Sequence, residues 1–176
     1  IPSYDAFGTL NYYAGRDFTG KPKWNKKNPD VPKTEIVFNE ELINWYEPVT
    51  LVEGPFDHIV TPNSIPLLGK PIDETYLVYK TLMDKAKYTV NIMLDSDATA
   101  SALKDYNKLN TSELRDRIRI IYCPEGYDPS DVYKDFGRRG MLKLLSSARK
   151  LDDFTLTKMA SKEMLKKERE AKIRKM

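Results

Sequence analysis

From residue 49 onward the chain alternates short apolar runs with longer stretches in which apolar residues recur every three or four positions. The runs at 49–52, 64–68, 89–94 and 118–123 are dominated by Val, Ile, Leu and Met, as strands covered on both faces require. Between them, 56–60, 73–88 and 99–109 carry the helical period. Strands joined through helices predict right-handed crossovers, and hence an α/β architecture with a mainly parallel sheet flanked by helices. The first 47 residues break this rhythm. They are rich in Gly, Pro, Asn and Lys, with β-prone pieces at 10–13 and 35–38, and predict a small α+β segment with long loops. Past Pro129 the pattern predicts a helix over 130–135, a stop near Gly137 and a resumption over 141–150. Leu156, Met159, Ala160, Met164, Leu165 and Ile173 then lie among charges at broadly helical spacing, predicting a C-terminal helix that is basic on one side.

Composition narrows the class. The 176 residues are 40% hydrophobic and 31% charged, a globular balance that excludes collagen-like and wholly disordered chains. Cys123 is the single cysteine and His58 the single histidine, which excludes a disulfide framework and a zinc site built from cysteine and histidine. A reducing, cytoplasmic setting is expected. No apolar run approaches the length of a membrane span, and the start has no basic-then-apolar signal pattern. Ile1 stands where an initiator methionine would, which reads as a processed or excised piece. Neither a G-x-G-x-x-G after a strand nor a G-x-x-x-x-G-K-[ST] occurs, so dinucleotide and P-loop readings lose their main support.

Charge is unevenly spread. Residues 1–33 hold six bases against three acids and 158–176 hold eight against three, leaving a middle with a net charge of −5. An acidic middle between basic ends suits a metal-binding carboxylate site flanked by phosphate-binding surface; the same pattern also fits ordinary surface charge with a solvated tail.

Three acidic motifs fall where strands are expected to end. Val52 leads into Glu53-Gly54-Pro55-Phe56-Asp57, Leu94 into Asp95-Ser96-Asp97, and Cys123 into Pro124-Glu125-Gly126-Tyr127-Asp128-Pro129-Ser130-Asp131. In an open α/β sheet, loops at the carboxyl ends of neighbouring strands share a crevice. Two carboxylates about 4 Å apart repel by about 4 kcal/mol at an effective dielectric near 20, so such a gathering calls for a divalent cation. An all-oxygen donor set favours Mg²⁺ or Mn²⁺ over zinc. Taken singly, Asp128 and Asp131 are equally well read as helix caps.

Glu-Gly-x-x-Asp followed by Asp-x-Asp, each ending an apolar strand, resembles the Toprim fold shared by bacterial-type DNA primases, type IA and II topoisomerases and certain nucleases. The resemblance implies a Rossmann-like Toprim domain over 48–140, preceded by a basic primase-core segment over 1–47 and followed by a C-terminal helical segment over 141–176. Two elements direct it toward primases. Gly15-Arg16-Asp17-Phe18-Thr19-Gly20 followed by Lys23-Trp24-Asn25 is similar to the Gly-Arg-Asp-x-x-Gly and Lys-Tyr-x-Asn elements that precede Toprim in bacterial and phage primases, with Trp24 at the usual tyrosine. Pro124 to Asp131 is similar to the primase Pro-x-Gly-x-Asp-Pro-x-Asp-like element, in which the family usually has Asp-Pro-Asp; here Ser130 stands at the second acidic position of that triplet and Asp131 follows it.

What the resemblance implies is RNA primer synthesis on a single-stranded DNA template from ribonucleoside triphosphates, by nucleotidyl transfer on two Mg²⁺ or Mn²⁺ ions. Glu53, Asp95 and Asp97 would be catalytic, and these with Asp57 and Asp128 would hold the metal. Arg16, Lys21, Lys23, Trp24 and Asn25 would bind nucleotide or template. A replicative helicase is the implied partner, and the compact Gly-Arg-Asp element suggests a phage source. The competing readings are a Toprim nuclease or topoisomerase fragment, and a non-catalytic nucleic-acid or replisome-binding module.

Overall fold

A computed structural model describes residues 1–15, 31–69, 71–94, 99–110 and 113–151. Its centre is a four-stranded parallel sheet built from β3 (Val49–Val52), β4 (Ser64–Pro66), β5 (Val90–Leu94) and β6 (Ile118–Tyr122), in the order β4-β3-β5-β6. Ahead of it, β1 (Pro2–Tyr4) and β2 (Leu10–Tyr13) form an antiparallel hairpin. The helices are α1 (Pro55–Val60), α2 (Leu77–Lys85), α3 (Thr99–Asn110) and α4 (Pro129–Leu145). None of the described helices is long and apolar enough to cross a membrane.

Side-chain alternation splits the sheet between two hydrophobic layers. Leu51, Ile92 and Ile120 face one layer, which Leu82 of α2 and Tyr106 and Leu109 of α3 complete. Val52, Met93 and Ile121 face the other, closed by Val60 of α1 and Met141 of α4. Because both faces are covered, the strands read as continuous apolar runs in the sequence. Within the second layer sits one polar pair. Thr50 and Asn91 are register partners, and the Asn91 amide donates to Thr50 Oγ1 at 3.3 Å while its own Oδ1 is buried without a hydrogen-bond partner.

The expected parallel α/β sheet is present, and three regions depart from the pattern. Residues 35–38 form no strand. Ile36 and Phe38 point into a cluster with Tyr12, Ala14 and Leu68 while Val37 enters the main core, and hairpin side chains do the work of a neighbouring strand. Asn11 Nδ2 donates to the Val37 carbonyl and the Asn39 N–H donates to Ser3 Oγ. The helix expected over 73–88 is confined to Leu77–Lys85, because Asp73 folds the preceding residues into a turn by accepting from the Thr75 N–H and hydroxyl. The third concerns α4. It breaks at Gly137, where φ 62° and ψ −164° are accessible essentially to glycine alone, but the helix continues directly to Leu145. It does not extend to Lys150, since Arg149 exchanges two backbone hydrogen bonds with Ile120 at the edge of β6. The C-terminal helix expected beyond residue 151 lies outside the described residues.

Candidate functional site

Two helix starts meet at the carboxyl ends of β3 and β6. After β3, Glu53 is exposed and Gly54 caps α1, with Pro55 at the first helical position. Asp57 reaches back one turn, so that Gly54 N–H donates to its Oδ2 at 3.1 Å. A Cβ at residue 54 would lie 3.3 Å from that oxygen, so glycine permits the close approach. After β6, Asp128 caps α4 by accepting from the Asp131 N–H at 2.7 Å, followed again by proline at the first position. The cap role weighed for Asp128 from the sequence is therefore real. Asp131 is the residue it caps.

The two starts are joined by a hydroxyl. Ser130 donates to Asp57 Oδ1 at 3.1 Å, so both oxygens of this nearly buried carboxylate are engaged. Burial pushes the Asp57 pKa up; the Gly54 and Ser130 donors pull it down, and the negative charges of Asp128 and Glu53 push it up again. Glu53, Asp57 and Asp128 thus share one electrostatic neighbourhood. Asp95 and Asp97, expected beside them, directly follow β5 in sequence and lie outside the described residues, as do Arg16, Lys21, Lys23, Trp24 and Asn25. Among the described residues, no group of three or more His, Cys, Asp or Glu side chains is arranged to hold a metal ion. The acids that do gather offer carboxylate oxygen alone, a donor set matched to a hard cation.

A cleft of about 190 Å³ opens beside Glu53, lined by Tyr12, Ala14, Lys33, Gly54, Leu68 and Gly69. Lys33 Nζ donates to the Leu68 carbonyl across it at 3.1 Å. Leu68 and Gly69 both adopt positive φ, 56° and 71°, which turns the chain sharply after β4. Lys33 and Ser130 were not singled out by the sequence. Lys33 sits in a basic, proline-rich stretch with no helical or strand period to mark it, whereas Ser130 was marked only as the departure from an acidic position. His58 is structural: Nδ1 lies 2.9 Å from the Ser64 carbonyl and Nε2 lies 3.1 Å from the Asn39 amide. Burial lowers its pKa, in keeping with a neutral ring that donates from Nδ1 and accepts at Nε2.

No family model matches the chain. A DNA primase of Aquifex aeolicus (strain VF5) is 29% identical over 124 residues, covering 70% of this chain and 22% of that protein. The crystal structure of the Aquifex aeolicus primase zinc-binding and RNA polymerase domains matches 97% of this chain and 44% of that one, at 28% identity and a TM-score of 0.62. A DnaG primase catalytic domain bound to single-stranded DNA shares the fold at 17% identity, with a TM-score of 0.65 over 84% of this chain and 52% of that one. The chain therefore spans under a quarter of the curated relative and about half of the solved primase structures. In sequence and in fold, it resembles the Toprim-containing catalytic core of bacterial DNA primases.

Proposed function

We propose that this chain is the catalytic core of a DNA primase, making short RNA primers on single-stranded DNA by nucleotidyl transfer. The observation that carries the reading is the gathering of Glu53, Asp57 and Asp128 at the ends of two strands that flank β5, in a fold similar to primase cores. Glu53, Asp95, Asp97 and Asp128 would hold Mg²⁺ or Mn²⁺, with Asp57 in support. When bound, the ions activate the attacking 3′-hydroxyl and stabilise the leaving pyrophosphate. Glu53, which is exposed, would accept the hydroxyl proton, a role that the primase resemblance implies. Arg16, Lys21 and Lys23 hold phosphates of the template or the ribonucleoside triphosphate, Trp24 offers a stacking surface, and Asn25 hydrogen-bonds the nucleotide. A replicative helicase acts alongside, in the cytoplasm.

The test is incubation with single-stranded template, ribonucleotides and Mg²⁺, with a chelator control. New oligoribonucleotides that vanish with chelator, and that Asp95→Asn no longer makes, are expected. Strand breaks in place of new oligomers would move the reading to a nuclease or topoisomerase. Neither product, together with no Mn²⁺ binding, would leave a non-catalytic binding module. In the double variant Arg16→Ala, Lys23→Ala, affinity for single strands should fall and the salt slope of log affinity should shrink by about 1.4. An unchanged slope would put the strand elsewhere.

A further inference from the structure

We propose that Ser130 is a positioning residue of the acidic crevice, which through Asp57 fixes the Glu53–Gly54 turn. The inference rests on the primase reading for what the crevice holds, but the linkage itself is geometric. Ser130 is the second residue of α4, and its hydroxyl donates to Asp57 Oδ1 at 3.1 Å. The other oxygen of the same carboxylate accepts the Gly54 N–H at 3.1 Å, one residue from Glu53. Asp57 is only 9% exposed, so its orientation is set by these donors in place of water. The two helices that carry the linkage also meet further along, where the Thr61 hydroxyl lies 3.9 Å from Met141 Sδ. The start of α4 is thereby tied to the end of β3.

The residue type matters as much as the distance. Asp57 already feels the negative charges of Asp128 and Glu53. An acid at position 130, as in the primase element this segment resembles, would set another negative charge against Oδ1; a hydroxyl supplies a donor and adds no charge. Ser130 therefore holds Asp57 still while leaving cation binding to the acids around it. Groups that orient a metal's ligands without touching the metal commonly alter affinity about 10-fold or more when removed.

Three readouts on Ser130→Ala and Ser130→Thr test this in the full chain. They are thermal unfolding, hydrogen exchange of the Gly54 amide without metal, and Mn²⁺ affinity by electron paramagnetic resonance. Ser130→Ala should speed Gly54 exchange and weaken Mn²⁺ affinity about 10-fold. Ser130→Thr, which keeps the hydroxyl, should restore both. A Ser130→Ala variant that unfolds earlier but binds Mn²⁺ as the wild type does would reduce Ser130 to a structural role and overturn the proposal. So would Gly54 exchange that does not change. Glu53→Gln serves as the separate control on the primase reading: if it and the wild type bind Mn²⁺ equally, the metal assignment fails. The linkage is then decided by Gly54 exchange alone.

Discussion

The crevice at the ends of β3 and β6 and the layer beneath α3 each contain a nearly buried aspartate, and the two are buried for different reasons. Asp57 is 9% exposed, holds donors on both oxygens and has two acids for neighbours. Asp105, on the face of α3 that also buries Tyr106 and Leu109, is 2% exposed and accepts the Ile72 N–H at 2.7 Å. Burial pushes the Asp105 pKa up to about 6, against the opposing pull of the Ile72 donor and the Lys104 charge. Both are strained by desolvation, yet Asp105 only fastens the segment after β4 to a helix. A shifted carboxylate that shares its surroundings with other acids is a candidate for a functional crevice, whereas Asp105, held by one backbone donor, is a staple.

The largest effect that would sharpen this contrast is on catalysis. Glu53→Gln should cut primer synthesis by about 100-fold or more while leaving the unfolding midpoint near that of the wild type, whereas Asp105→Asn should leave synthesis per folded molecule unchanged. Loss of synthesis in both variants, with equal unfolding, would erase the distinction. Next is a pH effect to which Asp105 contributes most. The unfolded chain releases this proton near pH 3.9 and the folded chain near 6, so between them the folded state holds more protons. Stability is then fullest below about pH 4 and is lost as pH rises through 6, by up to about 3 kcal/mol. Urea unfolding of Asp105→Asn should lose most of that slope, the remainder coming from Asp57, and an undiminished slope would assign it elsewhere. The smallest effect is on the stability contributed by Asp57. Asp57→Ala frees the Gly54 and Ser130 donors and also relieves like-charge repulsion, so a net loss of about 1 to 2 kcal/mol in urea unfolding is expected. A gain in stability would mean that repulsion outweighs the two hydrogen bonds.

Much of this architecture could be read from residue order because burial on both faces leaves a strong trace. Val49–Val52 is apolar or β-branched throughout, and the strand occupies those residues and no others. Glu53 and Asp57 were visible together because glycine and proline between them announce a helix start. Residues 35–38 looked equally strand-like, but no period reveals that Asn11 and Ser3 would satisfy that backbone from a distant hairpin. Asp105 left no local sign, because an aspartate on a helix ordinarily faces solvent. The strand order, with β3 beside β5, depends on contacts far apart in sequence, and so does the hydroxyl linking Ser130 to an aspartate 73 positions earlier.

The buried Thr50–Asn91 pair bears on how the sheet finds its alignment. Sliding β5 along β3 by one residue would turn the asparagine toward the opposite layer, among Leu51, Ile92 and Ile120, with no hydroxyl to receive its amide. Mismatched pairings are thus penalised by a single amide group lying a few residues before both strands end. Any force that keeps those strands in step also fixes the level at which each one ends, β3 at Val52 before Glu53 and β5 at Leu94, so an uncharged side chain in the interior governs where the rim begins.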